Sequence, residues 1–552
     1  MWQISQVTIA YIKICNNTTK DGTIKPKMLR GDSMAQIITA KEAANLINDG
    51  DVIVTGVDGL TGWPQEIVDA IEERFLREGH PKNITSIRAS GGGNFTSPTA
   101  ESQYLHEGMM TKSISSFVSV CPDLAKKITD NKIMGWMLPL GVFYQMYREI
   151  GRGMNGAMSK VGLGTFMDPR NDGGKLNQLT MDKGEDLVKY VPDFMGEEYL
   201  YYTLPKLNIG LMRATTADKH GNISCEKEPI NIGLLSQAQA VKANGGKVIC
   251  QVEKIVEVNE IHPRMVKVPG IYIDYIVVAE KPGEIMQNWI RSNKEGYNPA
   301  FTGEAIAELE EIKPMPLNDV KVMCRRAIKE FKPGYIINFG IGMPTSIPNV
   351  LNEMGQSDMV TMITETGCIG GVPALGKDFG CSWNVEALCD HGDHFSLFDG
   401  GNLDAGIFGL SEVDEKGNVN TSHLNGKIGG VGGFANISLS SKHLIFIGTF
   451  TAVGIKTKVE NGKMIIVNEG KFKKFIKKCD KTTFVAEESL KKGNDIVFIT
   501  ERCVIRRDKR GMVLEEVAPG IDIQTQILDQ CEFKLIIPDG GPKLMAPELF
   551  KE

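Results

Sequence analysis

The chain has 552 residues, a net charge of −6 and a pI of about 5.9. This length exceeds the ~100–200 residues of one domain, which predicts two or more domains, and the acidic balance gives no general electrostatic case for binding nucleic acid. No apolar run reaches the ~18 residues of a membrane-spanning helix, and the eleven cysteines contain no C-x-x-C pair, which indicates reduced thiols in a cytoplasmic protein.

The chain opens with a segment that follows no regular pattern. Residues 1–33 combine a short alternating run with scattered polar residues and lack a signal-peptide pattern. We expect them to be a disordered extension, or upstream sequence included by a mistaken start. Regular structure is predicted from residue 34 onward, with a helix over 41–50, a strand over 51–56 and a helix over 65–75.

This arrangement recurs once along the chain. Gly334 stands 284 residues after Gly50 and follows a second predicted helix. A further match, Asp-x-x-Gly-Asn, begins at Asp218 and again at Asp414, 196 residues later. Asp-x-x-Gly-Asn is turn chemistry between strands, and two matches in the same order indicate two homologous halves. The smaller second offset places about 88 extra residues (284 − 196) in the first half.

The repeat and the alternation of strands with helices predict the domain organisation. Each half is expected to be an open α/β domain around a mainly parallel sheet. The expected parts are an N-terminal domain over 34–280 with an insertion at about 90–205, a linker over 281–318, a C-terminal domain over 319–540 and a tail over 541–552. Ligands in such sheets bind outside the carboxyl ends of the strands.

Glu365 is the main candidate for a reactive side chain. The apolar run 359–363 is typical of a buried parallel strand, and Glu365 follows it at the carboxyl end. Glycines after it, beginning with Gly367, let a ligand approach closely. The counterpart of Glu365 in the first half is Ala89. A structural residue could have been kept in both halves, so the asymmetry favours a catalytic Glu365.

Other residues offer competing chemistry. Cys368 could be a nucleophile, but no nearby histidine is placed to lower its pKa. The segment 390–394 holds two Asp and two His and could ligate a metal, or it could be a polar loop. Gly340 and Gly342 suggest a dinucleotide turn that lacks its third glycine, and 91–93 suggests a phosphate loop that lacks a lysine.

The glycine-rich loop 429–434 adds a second element of acyl chemistry. Clustered glycines expose backbone N–H groups, which suits an oxyanion hole, although a plain turn between two elements could have the same composition. Glu365 is a lone carboxylate without a Ser-His-Asp set. Combined with the loop, it favours acyl transfer through an anhydride or thioester on that carboxylate.

The segment 363–373, with the sequence ITETGCIGGVP, resembles the active-site segment of family I coenzyme A transferases. The chain is most similar to the single-chain propionate/acetate CoA-transferase group, the short-chain acyl-CoA:acetate CoA-transferases. The resemblance implies two NagB/RpiA/CoA-transferase-like domains and ping-pong transfer through a glutamyl-CoA thioester on Glu365. It further implies a CoA thioester and a short-chain carboxylate as substrates, a homo-oligomer, and no metal, no permanently bound cofactor and no membrane or nucleic-acid partner.

The resemblance also implies roles for individual residues. Gly432 and Gly433 would donate backbone N–H groups to the oxyanion. Many members have a glutamine where this chain has Leu140, so an outer oxyanion donor is replaced by Gln145 or the acyl pocket is more apolar. The residues expected to contact the substrate or CoA are Gly367, Gly401, Asn402, Gly430, Phe434 and Leu140.

Two other functions stay open beside CoA transfer. Glu365 could serve an acyl-CoA hydrolase in which water is the acceptor. The chain could also be a non-catalytic module that senses CoA or a sugar phosphate. The sequence does not decide which acids are the physiological pair.

Overall fold

The computed structural model describes residues 35–58, 61–93, 95, 100–281, 297–308, 314–424 and 426–552. The predicted extension over 1–33 and much of the predicted linker, 282–296 and 309–313, lie outside the described residues. Within those ranges, none of the helices is both long and apolar enough to cross a bilayer. The ten cysteines of the described ranges are free thiols.

The first half of the chain forms a sheet of eight strands. In chain order these are β1 Gln36–Ile38, β2 Val52–Thr55, β3 Ile84–Ile87, β4 Met110–Ser115, β5 Met134–Met137, β6 Ile209–Arg213, β7 Lys247–Val252 and β8 Tyr275–Val278. Their spatial order is β1-β8-β7-β6-β2-β3-β4-β5, and every neighbouring pair is parallel. The central strands β2, β3 and β6 are buried throughout, as expected for a parallel sheet covered on both faces.

The second half forms a sheet of ten strands. They are β9 Tyr335–Phe339, β10 Val360–Ile363, β11 Cys368–Ile369, β12 Ala387–Leu388, β13 Ala405–Gly409, β14 His443–Ile447, β15 Asp495–Ile499, β16 Cys503–Asp508, β17 Gly511–Val517 and β18 Lys543–Leu544. The spatial order is β12-β11-β10-β9-β13-β14-β15-β16-β17-β18. The five strands from β10 to β15 in this order are parallel. Antiparallel pairs extend the sheet on both sides, and β18 adds to β17 as a parallel strand.

The two sheets share one topology, which confirms the predicted fold class of two homologous α/β domains. The order β3-β2-β6-β7-β8 in the first half matches β10-β9-β13-β14-β15 in the second. Gly50 and Gly334 precede equivalent strands with φ values of 79° and 84°. Each donates its N–H to a carbonyl one or two residues before the neighbouring strand, Gly50 to Lys82 and Gly334 to Met359. A positive φ at this turn explains why both halves carry glycine.

The repeated Asp-x-x-Gly-Asn segments form the same turn in both halves. Asp218 Oδ1 accepts the N–H groups of the residues two and four positions later, and Asp414 does the same. Gly221 and Gly417 both have φ of 82°. The aspartate side chain replaces missing backbone partners within the turn, which is why the pattern survives in both copies.

Helices cover both sheets. The connection between β3 and β6 in the first half is longer than its counterpart between β10 and β13 in the second half. The helices are α1 Ala40–Asn45, α2 Gln65–Glu78, α3 Pro122–Thr129, α4 Leu140–Gly151, α5 Gln178–Lys183, α6 Leu234–Ala243, α7 Asp319–Ile328, α8 Ile347–Glu353, α9 His391–Asp399, α10 Phe434–Ser440 and α11 Ala486–Lys491. The segment between β3 and β6 holds β4, β5, α3 to α5 and a small antiparallel sheet of Gly156–Ser159, Val188–Phe194 and Glu197–Thr203. The domain bounds themselves stay predictions.

The two halves contact each other closely beside the excursion. Phe166 N–H donates to the Thr482 carbonyl at 2.9 Å, and Lys481 pairs with Asp172 at 2.5 Å. One continuous apolar core contains residues from both halves, among them Phe143 and Phe395. The cleft that holds Glu365 is formed at this junction.

Candidate active site

Glu365 lies at the carboxyl end of β10, two residues after the strand ends at Ile363. The chain reverses there into β11, and Thr364 N–H donates to the Cys368 carbonyl at 3.0 Å. Gly367 has φ of 105°, and a Cβ at this position would lie 2.5 Å from the Cys389 carbonyl oxygen. The predicted substrate contact Gly367 is therefore required by the turn that holds the half-buried Glu365.

The glycine-rich loop 429–434 crosses from the second half to the first. Its Gly430 pairs with Phe117, and a Cβ at Gly430 would overlap the Phe117 ring. The Ser116 carbonyl, just after β4, accepts the N–H groups of Val431 at 2.8 Å and Gly432 at 3.1 Å. These contacts hold the loop against the first half, and the structure shows Gly430 in this packing, while its predicted contact with the substrate stays a prediction.

Within this loop, Gly433 and not Gly432 donates its N–H to Glu365. The Gly433 N–H bonds the Glu365 carboxylate, and a Cβ at Gly433 would lie 2.5 Å from Glu365 Oε2. The Gly432 N–H is already donated to Ser116, so the predicted donor role of Gly432 is not met in this arrangement. Gly432 contributes shape instead, because its φ of 47° turns the chain next to the carboxylate.

A second carboxyl group, Asp58, reaches the cleft from the first half. Asp58 follows β2 at its carboxyl end, is 8% exposed, and places Oδ2 3.2 Å from His391 Nδ1. The Tyr144 hydroxyl of α4 lies 3.0 Å from the same nitrogen. His391 begins α9 in the second half and is fully buried. Asp58, Tyr144 and His391 thus form a polar cluster beside Glu365 that both halves build.

Burial sets the protonation of this cluster. Burial and the negative charge of Asp58 raise the pKa of Glu365 to about 8, against the opposing Gly433 hydrogen bond. Burial raises the pKa of Asp58 to about 7, against a hydrogen bond from Ser90. Burial and the neighbouring His394 lower the pKa of His391 to about 3, so the ring is neutral. Two carboxyl groups with raised pKa values in one cleft indicate a functional site.

Leu140 contacts the loop 429–434 through its backbone, and Phe434 is the last residue of the loop. The Leu140 side chain is fully buried, and its N–H donates to the Gly432 carbonyl at 3.1 Å. The Phe434 ring packs against Phe408 and Phe446 on the second sheet. The side-chain amide of Gln145, the suggested replacement donor, donates to Asp399 at 2.7 Å. Leu140 therefore affects the site through its backbone in this structure.

The predicted contacts Gly401 and Asn402 lie at the opposite edge of the second sheet from Glu365. They follow α9, and their N–H groups donate to Phe398 and Leu397, which ends the helix. The next strand, β13, begins only at Ala405 and runs parallel to β10 through β9. Residues that precede a parallel strand lie at its amino end, the opposite edge of the sheet from Glu365.

The structure also bears on the other reactive groups considered from the sequence. Cys368 is fully buried, and burial raises its pKa, which makes it an inert thiol. Glycines 91–93 pack against Val120, Phe117 and Trp63, and this close packing explains why the segment carries glycine. His394 donates its Nε2–H to the Thr364 carbonyl oxygen at 2.8 Å and so orients the turn of Glu365.

One group of side chains elsewhere in the described residues has the spacing of a metal site. Glu330, His443 and Asp495 converge. Arg506 already pairs with Glu330 and Asp495, and Arg326 pairs with Glu330. Two guanidinium groups neutralise these carboxylates, so the group is a structural ion-pair network and not a site for a cation. The segment 390–394 does not form such a group.

Sequence reasoning did not identify Asp58 or Ser116. The signal for Asp58 was present, because it follows a strand end, and its counterpart in the second half, at the same offset of 284, is Gly342. The asymmetry that singled out Glu365 against Ala89 applies equally to Asp58. Ser116 acts through its backbone carbonyl, and any residue type could supply that group, so the sequence carries no signal for it.

Comparison with known proteins places these observations in context. Residues 37–279 match the family model described as "Coenzyme A transferase". The chain is 41% identical over 527 residues to the caffeate CoA-transferase of Acetobacterium woodii, covering 94% of this chain and 98% of that protein. It is 35% identical over 528 residues to the acetate CoA-transferase YdiF of Escherichia coli K12, covering 96% and 97%.

A solved structure agrees with the sequence relatives. The acyl-CoA transferase YdiF of Escherichia coli O157:H7, as a thioester complex with CoA, matches with a TM-score of 0.85 and 34% identity, covering 95% of this chain and 98% of that chain. The likeness extends over both sheets and therefore includes the junction that holds Glu365.

Proposed function

Because this chain belongs to the coenzyme A transferase family, we propose that it moves CoA between short-chain acids by covalent catalysis at Glu365. The observation that carries the proposal is the position of the Glu365 carboxylate, at a strand end, in the cleft between the halves and against the Gly433 N–H. A carboxylate at this point can serve as a nucleophile toward a thioester.

The reaction divides into two steps that conserve charge. An oxygen of ionised Glu365 attacks the thioester carbonyl carbon of the donor acyl-CoA, and the carbon–sulfur bond breaks to give an acyl-glutamyl anhydride and CoA thiolate. The thiolate then attacks the Glu365 carbonyl carbon. The carbon–oxygen bond to the donor acyl group breaks, which leaves a glutamyl-CoA thioester and releases the donor acid as its carboxylate. An acceptor carboxylate reverses both steps, and no proton is gained or lost.

The groups around Glu365 have matching roles in these steps. The Gly433 N–H bonds the Glu365 carboxyl group and remains in place for the oxyanion that forms when the Glu365 carbonyl is attacked. The Ser116 carbonyl holds the loop by binding Val431 and Gly432. His394 fixes the Thr364 carbonyl one residue before the nucleophile. Coenzyme A enters as a substrate thioester, and these steps need no metal or bound cofactor.

Acetate and propionate are the acids that we propose as acceptors. Support comes from the similarity to an acetate CoA-transferase. The relative named for caffeate adds a hydroxycinnamic acid to the acids worth testing. We further propose a cytoplasmic homo-oligomer, in line with the free thiols of the described residues.

The test is a product assay on purified protein with propionyl-CoA, run with and without acetate. Transfer yields one acetyl-CoA for each propionyl-CoA consumed and no free CoA in the absence of acetate. Free CoA released at the same rate without an acceptor would make the protein a hydrolase. Binding without turnover of any acyl-CoA would favour the non-catalytic module.

A further inference from the structure

The start of α9 carries the segment 390–394, whose two histidines the sequence left open between a metal site and a polar loop. His391 and His394 stand three residues apart on α9, so their side chains lie on one face of the helix. His394 donates its Nε2–H to the Thr364 carbonyl at 2.8 Å, and the His391 ring hydrogen-bonds the Glu365 carbonyl. Two successive carbonyls of the nucleophile turn are therefore held by two histidines of one helix.

The first half of the chain fixes the other side of the His391 ring. The Tyr144 hydroxyl lies 3.0 Å from His391 Nδ1, and the two ring centroids are 4.9 Å apart. Asp58 Oδ2 lies 3.2 Å from the same nitrogen. Gly392 permits this close contact between α4 and α9, because a Cβ there would lie 3.1 Å from Tyr144 Cβ. The His391 N–H donates to the Asn231 carbonyl at 2.8 Å, so the first half holds both the backbone and the ring of His391.

These contacts decide which ring nitrogen of His391 carries the proton. Burial and the neighbouring His394 lower the pKa of His391 to about 3, so the ring is neutral and has a single N–H. Apart from the Glu365 carbonyl, no group of the described residues bonds the buried Nε2. A proton on Nδ1 would leave the Nε2 lone pair facing the carbonyl oxygen with no donor between them. A proton on Nε2 satisfies that carbonyl and leaves Nδ1 to accept the Tyr144 O–H. A protonated Asp58 carboxyl can share this acceptor, since burial raises the pKa of Asp58 to about 7.

The contact acts on the orientation of the nucleophile and not on the substrate. His391 is fully buried, so no substrate reaches its ring. The carbonyl that it holds belongs to Glu365 itself, and rotation of that peptide unit would also turn the Cα–Cβ bond that directs the carboxylate. Covalent attack requires the reacting atoms to be held within a narrow range of positions, and a displacement of ~1 Å can lower the rate ~10²-fold.

We propose that His391 is a positioning residue that aims the Glu365 carboxylate by donating its Nε2–H to the Glu365 carbonyl, with Tyr144 of the first half fixing the ring tautomer. The inference rests on the proposed function, since it assigns the aim of that nucleophile. It makes the orientation of a side chain in the second half depend on a hydroxyl group of the first half. The segment 390–394 then has a role other than metal binding.

The experiment compares the purified wild-type protein with His391→Gln and His391→Asn in the transfer from propionyl-CoA to acetate. The glutamine amide nitrogen can occupy the position of Nε2, whereas the shorter asparagine amide reaches only the position of Nδ1. His391→Gln should keep kcat within a few-fold of the wild type. His391→Asn should lower kcat on the order of 10-fold or more, with the KM values for both substrates within a few-fold of the wild type.

Tyr144→Phe tests the tautomer with the smallest change. It removes the hydroxyl that donates to Nδ1 and keeps the ring that packs on His391. We expect a smaller fall in kcat than in His391→Asn, and an unchanged kcat would contradict the part assigned to the first half. His443→Gln is the matched control, because His443 lies in the ion-pair network at the amino end of β14. It should lower Tm without changing kcat.

Hydrogen–deuterium exchange of the turn 364–368 separates this inference from the proposed function. The Thr364 N–H donates to the Cys368 carbonyl, and the Cys368 N–H donates to Thr364 Oγ1, so both amides report whether the turn is held. The turn should exchange faster in His391→Asn than in the wild type or His391→Gln, whether or not transfer is found. This difference in exchange without any transfer by the wild type would refute the proposed function and leave the contact standing.

Three results would overturn the inference. The first is an unchanged kcat in His391→Asn together with unchanged exchange of the turn. The second is an equal loss of kcat in His391→Gln and His391→Asn, which would make His391 a packing residue. The third is a kcat that His391→Asn retains and His391→Gln loses, which would place the donated proton on Nδ1.

Discussion

The Glu365 carboxyl must lose its proton before it can attack a thioester. Burial and the charge of Asp58 raise its pKa to about 8. We therefore expect kcat/KM for transfer to rise with pH and to level off above about 8. Asp58→Asn removes the negative charge and should move this limb to lower pH. The measurement is the pH profile of kcat/KM for both proteins, and coincident limbs would mean that Asp58 does not act on Glu365.

The same raised pKa has a consequence for stability. A folded state that binds the Glu365 proton more tightly than the unfolded state loses stability as pH rises from about 4.5 to about 8. Glu365→Gln removes this loss. Its Tm should exceed that of the wild type at pH 8, and the difference should shrink toward pH 5. Equal differences at the two pH values would contradict the assigned pKa.

A substitution at Gly433 should displace the Glu365 side chain without straining the backbone. Its φ of −79° suits any residue, but a Cβ there would lie 2.5 Å from Glu365 Oε2 and 3.0 Å from Phe395. Gly433→Ala should lower kcat on the order of 10²-fold or more, which is the scale of a lost oxyanion contact. Thermal unfolding should change little.

Gly429→Ala is the control for this experiment. It lies in the same loop, has no positive φ, and an added Cβ would meet its nearest neighbour at an ordinary 3.5 Å. Activity should be retained. Full activity in Gly433→Ala, or equal losses of activity in both variants, would mean that the Gly433 N–H takes no specific part in the chemistry at Glu365.

At the scale of elements, a buried carboxylate joins helices from both halves. The Asp399 carboxylate at the end of α9 accepts hydrogen bonds from the side-chain amides of Gln145 in α4 at 2.7 Å and Asn436 in α10 at 2.8 Å. Asn436 in turn accepts the Gly141 N–H at 3.2 Å. Burial raises the pKa of Asp399 to about 6, although these donors oppose the rise. The junction fixes α4 relative to the helix that follows the glycine loop.

Removing one donor from this junction should cost stability in a pH-dependent way. Gln145→Ala leaves ionised Asp399 with one donor fewer, a loss of ~1–3 kcal/mol in the free energy of unfolding. The loss should be largest above pH 6, where Asp399 is ionised, and smaller below it. Denaturant unfolding at pH 5 and pH 8 measures this. Gln178→Ala, which removes a similar bond to Asp182 at the surface, should cost almost nothing, and an equal cost in both variants would show that burial of Asp399 is irrelevant.

The elements also show which parts of the site were predictable from sequence. The strand before Glu365 and the repeated turns were predicted because local chemistry determines them. The same rule could have excluded Gly401 and Asn402, since they precede the apolar strand that begins at Ala405 and so lie at its amino end. The choice of Gly433 over Gly432 as donor could not be read from sequence. It depends on the Ser116 carbonyl, which comes from the other half of the chain.

At the scale of the whole molecule, neither half contains a complete site. The first half supplies Asp58, Ser116 and Tyr144, and the second supplies Glu365 and Gly433. A chain divided between Lys281 and Tyr297 should therefore be inactive as either half alone. Co-expression of the two halves should restore transfer, because the contacts across the junction are non-covalent. Activity of the second half by itself would contradict a shared site.

The central claim is that Glu365 forms a covalent thioester with CoA, and mass spectrometry of its peptides tests it most directly. The wild type is incubated with propionyl-CoA without an acceptor, digested under mildly acidic conditions and compared with Glu365→Gln. The account predicts a CoA adduct on the peptide that contains Glu365, its loss when acetate is added, and no adduct in the variant. Transfer by the wild type without any adduct, or an adduct that persists in Glu365→Gln, would contradict it.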